Sequence, residues 1–150
     1  MIINKDEIEQ LLPHRDPFLF LDKCEIIEVG KKGIGYRKFL TNEFFFEGHF
    51  PQKPIVPGVI LIEALAQTAG VVVSKGFLNN EKKSVLFMSI SSAKFRKPVT
   101  LNDEITFCVN ILNRVKSVYK FYGEAKKGSI IVCEAIFSAM IINKAIKEIF

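Results

Sequence analysis

The stretch FFFEGHFPQKPIVPGVILIEALAQTAG, Phe44 to Gly70, decides how this chain folds and where its chemistry sits. Three phenylalanines lead into a loop in which Gly48 frees the backbone and Pro51, Pro54 and Pro57 stiffen it. The pattern then turns helical, with Ile60, Leu61, Ile62, Ala64, Leu65 and Ala66 surrounding a single carboxylate, Glu63. The spacing predicts a helix from Gly58 to Ser74, closed near Gly76. That helix is apolar on nearly every side, so it belongs inside something. A bilayer span needs about 20 mainly apolar residues, but Glu63 at mid-helix would cost about 2.5–3.5 kcal/mol there. Gln67 and Thr68 add polarity. A buried core helix, not a membrane span, is the expectation.

Outward from this stretch the texture is extended. Upstream, Asn4 and Glu7 have capping-box spacing, and Ile8, Leu11 and Leu12 share a helical face before Pro13. FLFLDKCEIIEV (18–29) and IGYRKFL (34–40) read as strands around a Gly30–Gly33 turn. Downstream come SVLFMSIS, AKFRKPV, DEITFCVNILNRV, SVYKFYGEAKK and SIIVCEAIFSAMII, with Gly128-Ser129 as a hairpin turn. Ile105, Phe107, Val109 and Ile111 alternate with Thr106, Cys108 and Asn110, as a strand with one buried face requires. The class is therefore α+β: a curled antiparallel sheet covering one long helix.

The totals narrow the function. One hundred and fifty residues, 49% hydrophobic and 25% charged, suit a single domain, 1–150, with a generous core. The start, MIINKDEIEQ, lacks the basic-then-apolar order of a secretory signal. Cys24, Cys108 and Cys133 are odd in number and widely spaced, which fits buried thiols in a reducing cytoplasm. The net charge of +5 is spread over GKKG (30–33), EKK (81–83), KFRKP (94–98) and AKKG (125–128). No concentrated basic face or stacking module points to nucleic acid. A mildly basic surface does suit an acidic partner, because complementary fields speed encounter.

Only two histidines occur, and one of them, His49, sits in the stiffened loop. A loop histidine alone often does no more than bond a carbonyl, and a lone buried Glu is often structural. Together with Gly58 they say more. Gly58 opens the helix, where backbone N–H groups are unpaired and the dipole is positive. Glu63 lies five residues on, about 7.5 Å along the axis, with its side chain leaning back toward that end. Gln67 shares its face. An imidazole base, an oxyanion donor and an acid could thus surround one small electrophile. That equipment removes a proton α to a carbonyl and expels a group from the β carbon.

LPHRDPFLFLDK, FFFEGHFPQKPIVPGVILIEALAQTAG and KFRKPV, in order from Leu12 to Pro98, resemble the signature blocks of the 3-hydroxyacyl-[acyl carrier protein] dehydratases of bacterial type II fatty-acid synthesis. The resemblance implies a hotdog fold, homodimers with shared active sites, and their assembly as trimers of dimers. It implies His49 as the catalytic base, Glu63 as its acidic partner from the other subunit, and Gly58 N–H facing the thioester carbonyl. Glu63, where the related isomerase branch carries Asp, favours dehydration alone. Asp16, Ile55-Val56, Ser91-Ser92 and TLNDE depart from the usual pattern, away from that pair.

The expectation is a cytoplasmic lyase converting (3R)-hydroxyacyl chains on acyl carrier protein to trans-2-enoyl chains. Gln67 supports Glu63; no cofactor or metal is required, since elimination moves only protons and water. His14 reads as structural or tunnel-edge. The rivals are a hotdog acyl-thioesterase and a non-catalytic acyl-carrier-binding module.

Overall fold

A computed structural model describes residues 1–77, 83–144 and 148–149; Glu81 and Lys82 of the EKK cluster lie outside the described residues. Its elements run β1 (Ile2–Asn4), α1 (Lys5–Leu11), β2 (Lys23–Glu28), β3 (Lys32–Lys38), α2 (Gly58–Lys75), β4 (Ser84–Phe95), β5 (Glu104–Val115), β6 (Val118–Lys127) and β7 (Ile130–Ile142). The strands form one antiparallel sheet in the order β1-β2-β3-β5-β6-β7-β4. The sheet curls around α2, the hotdog arrangement. Long enough and apolar enough to cross a membrane by composition, α2 instead has 78% of its length buried within the protein.

Local chemistry explains most boundaries. Asn4 Oδ1 accepts the Glu7 N–H at 2.9 Å and caps α1. At the far end of α2, Gly76 closes the helix with its N–H on Val73 O. Along β5, Ile105, Phe107 and Val109 are buried while Thr106, Cys108 and Asn110 are half-buried, so the alternation places one face on the core. The sheet approaches α2 closely where side chains are missing. A Cβ on Gly35 would collide with Thr68 Oγ1, and one on Gly123 would lie 2.9 Å from Leu65 Cδ2. Cys24 and Cys133 are buried in this core, where burial foremost, and then Glu25 and Glu134, push their thiols up to about 12 and about 11. They remain protonated packing groups.

Three expectations need correction. The chain begins with a short strand, β1, paired to β2, where the sequence suggested only a helix. The strand expected over 18–29 is confined to Lys23–Glu28, because Gln67 from α2 takes the Phe18 carbonyl and the Phe20 N–H that a ladder would use. SVLFMSIS and AKFRKPV are not separate strands: β4 is continuous, with irregular register at Phe87/Ser89 and Ile90/Ser92. Such bulges bend a strand without ending it. As the edge of the sheet, β4 leaves Phe87, Met88, Ile90 and Phe95 exposed.

Candidate active site

His49 is held chiefly by its own neighbourhood. A 3₁₀ turn, Phe44–Glu47, buries Phe45 and Phe46, and Phe45 packs on Phe20 and Phe39. Ahead of the turn, Arg37 donates to both Glu43 carboxylate oxygens at 2.7 and 2.9 Å, and Glu43 also accepts the Leu40 N–H at 3.0 Å. Charge-assisted bonds of this forked kind fix geometry as well as position. The His49 N–H donates to Phe45 O at 3.0 Å, and its carbonyl accepts the Ile55 N–H at 2.9 Å. Its ring Nδ1 lies 2.8 Å from Ile55 O. A carbonyl only accepts, so Nδ1 carries the hydrogen, and in the neutral ring Nε2 keeps the lone pair. The three prolines therefore help deliver Ile55 to the ring.

This loop is sewn to the segment after β4. Val56 N–H bonds Val99 O at 2.8 Å, and Ile55 bridges Thr100. The Thr100 turn closes on Asp103, which accepts the Thr100 N–H at 2.8 Å and pairs with Lys127 at 2.7 Å. Burial pushes the Asp103 carboxyl up, but the bonds from Lys127 and Thr100 outweigh it and hold it below its ordinary value.

His49, Gly58, Val59, Leu61 and Phe95 line a cavity of about 390 Å³, with Arg96 and Lys97 also in its wall. Gly58 is the first residue of α2, after Pro57, so its N–H has no intrahelical acceptor. A Cβ there would collide with the Phe95 ring. Glycine thus does two things: it accommodates Phe95 and leaves the positive end of the helix bare toward the cavity.

Glu63 does not line this cavity. Its Oε2 accepts from Gln67 Nε2 at 2.9 Å and stands 3.3 Å from His14 Nε2. Gln67 is fully buried; its Nε2 also donates to Phe18 O at 2.9 Å, and its Oε1 accepts the Phe20 N–H at 2.8 Å. One amide thereby satisfies the irregular segment and steadies the carboxylate. Within a single protomer, then, His49 and Gly58 come together, Glu63 and Gln67 come together, and the two pairs occupy different places. Sequence reasoning missed the nearness of His14 to Glu63. Its only signal was a histidine within LPHRD, with nothing in the spacing to aim it.

A family profile described as a FabA-like domain matches residues 12–136. The chain is 43% identical over 138 residues to a 3-hydroxyacyl-[acyl-carrier-protein] dehydratase FabZ of Caulobacter vibrioides, covering 91% of this chain and 87% of that one. It is 44% identical over 141 residues to the FabZ of Gluconobacter oxydans, covering 91% and 82%. Among solved structures, the dehydratase heterocomplex ApeI:P from Xenorhabdus doucetiae matches with a TM-score of 0.71 at 17% identity, over 91% of each chain. At that identity the match speaks for the fold alone. The signature blocks, the hotdog architecture and these relatives place the chain in the FabA-like family, among the dehydratases of FabZ type.

Proposed function

We propose that this protein removes water from 3-hydroxyacyl chains carried on acyl carrier protein, the reaction of fatty-acid synthesis for which its relatives are named. His49 Nε2 takes the α proton of the (3R)-hydroxyacyl thioester, and the Cα–H electron pair becomes the Cα–Cβ π bond as the Cβ–O bond breaks. Glu63 protonates the β-hydroxyl, which leaves as water, and the product is the trans-2-enoyl thioester. Gly58 N–H meets the charge that develops on the thioester oxygen. His49 and Glu63 end in each other's protonation state, and one net proton transfer resets the pair. The single observation that carries this reading is the 2.8 Å contact between His49 Nδ1 and Ile55 O, which makes Nε2 the basic nitrogen beside the helix terminus.

The acid comes from a second copy of the chain. The His49 cavity does not include Glu63, and among the described residues β4 pairs with β7 alone, its other edge open with Phe87, Met88, Ile90 and Phe95 exposed. An apolar edge strand of that kind is usually covered, and isologous pairing of two copies forms two equivalent sites. We extend this to a trimer of dimers, free in the cytoplasm. Arg96 and Lys97 at the cavity wall give an acidic carrier a place to approach. Incubation with a 3-hydroxyacyl thioester tests the reading: enoyl product supports it, while free acid without enoyl product identifies a thioesterase.

A further inference from the structure

The LPHRD block takes no part in the elimination just described, yet it is built tightly against Glu63. Arg15 donates to three carbonyls around the end of α1: Leu12 O at 3.0 Å, His14 O at 2.6 Å and Glu9 O at 2.9 Å. This clamp holds the backbone of His14 while its ring turns inward to Glu63. The two side chains are only 15% and 18% exposed. We propose that His14 is a positioning residue that selects which oxygen of Glu63 carries the reacting proton. The inference rests on the reading of Glu63 as the acid.

Both neighbouring nitrogens, Gln67 Nε2 at 2.9 Å and His14 Nε2 at 3.3 Å, address the same oxygen, Oε2. With Oε2 occupied by two donors, the proton belongs on Oε1. When it leaves, two N–H groups already face the new negative charge, and no reorganisation is needed. The tautomer follows from the other nitrogen. His14 Nδ1 is buried and, among the described residues, has no hydrogen-bond partner. A hydrogen there would be a buried donor without an acceptor, and it would leave the Nε2 lone pair facing Glu63 Oε2 with no bond made at either nitrogen. The hydrogen therefore sits on Nε2, pointing at Glu63. At 3.3 Å the bond is long, and catalytic bonds of this kind tighten when substrate arrives.

Steady-state kinetics on untagged protein test this with His14→Ala, His14→Gln, Glu63→Gln and the double variant His14→Ala/Glu63→Gln. Misplacing a catalytic group costs up to about 100-fold, so His14→Ala should lower kcat about 10- to 100-fold with KM unchanged. His14→Gln, whose amide nitrogen reaches the Nε2 position, should restore most of that loss. In the double variant the His14 change should add little to Glu63→Gln, because it acts through Glu63. Parental kcat in His14→Ala, a change confined to KM, or no rescue by Gln overturns the inference. Near-parental activity in Glu63→Gln overturns instead the reading of Glu63 on which it stands. A second measurement holds even where His14→Ala fails to fold. In His49→Ala, His14 is the remaining histidine, and imidazole ¹⁵N spectra should show a protonated Nε2 and a bare Nδ1. The opposite tautomer overturns the proposal.

Discussion

The two halves of the site are held in place by opposite means. His49 is fixed by residues within six positions of it, through backbone bonds to Phe45 and Ile55 and a ring bond to Ile55. Glu63 is fixed from a distance: Gln67 beside it reaches the backbone of Phe18 and Phe20, 49 and 47 positions before Gln67, and His14 stands 49 positions before Glu63 itself, 63 − 14 = 49. A stiff loop presents the proposed base, whereas tertiary packing presents the proposed acid. Phe20 joins the two systems, since its N–H meets Gln67 and its ring packs on Phe45. The difference implies that the His49 ring can be removed cleanly, while the supports of Glu63 also hold the fold.

The largest effect should come from His49→Ala. Dehydration should fall by about 10²–10⁴-fold, the range for a general base, with the thermal transition unchanged because a half-exposed loop ring contributes little packing. A variant that melts normally and retains parental turnover would remove His49 from the mechanism. Gly58→Val comes next. Losing an oxyanion donor costs about 10²–10³-fold in kcat, and here the new side chain also strikes Phe95. Pairing it with Phe95→Ala separates the two causes: recovered turnover would assign the loss to the ring, not to blocked access to the N–H.

Subunit mixing sharpens the comparison further. Inactive His49→Ala and Glu63→Ala proteins, allowed to exchange, should recover at most about a quarter of parental activity, because each mixed dimer holds one intact and one doubly damaged site. Proven exchange without recovery would place base and acid in the same protomer's site. Gln67→Leu should show the acid's side to be structural. Stranding the buried Phe20 N–H and the Phe18 carbonyl should cost about 1–3 kcal/mol of stability, read as a lower melting temperature at fixed protein concentration. An unchanged melting temperature would mean that the bonds to Phe18 and Phe20 do not hold the segment.

The smallest effect belongs to the His49 side at low pH. Asp103 keeps its carboxyl low through Lys127 and Thr100, against the pull of burial. A group lowered on folding contributes stability above its unfolded value, about 4, and that contribution is lost as pH falls through the folded one. Acid should therefore loosen the Thr100 turn and the Ile55 bridge tied to it. Hydrogen exchange at Val56 and Thr100 should rise below about pH 4, and less so in Asp103→Asn, which has no carboxyl to protonate. Equal acid sensitivity in both proteins would detach Asp103 from the effect.

What could be read from the residues alone follows the range of the forces involved. The Asn4 cap, the Gly76 stop, the Gly128-Ser129 turn and the alternation of Ile105, Phe107 and Val109 depend on neighbours a few positions away, and each was legible. So was the loop that holds His49, because glycine, prolines and aromatics act on their own backbone. The grouping of His49 with Gly58 follows from the same short stretch. Tertiary structure decided the rest. Phe18 to Leu21 has strand composition but no strand, since a side chain from α2 claims its backbone groups. Two apparent strands became one because β7 offers a continuous ladder that β4 follows through its bulges. His14 came to Glu63 because Arg15 pins the end of α1 while α2 passes beneath. Local spacing cannot encode such contacts: they exist only once the sheet has closed on the helix and brought together groups that the chain keeps some fifty residues apart.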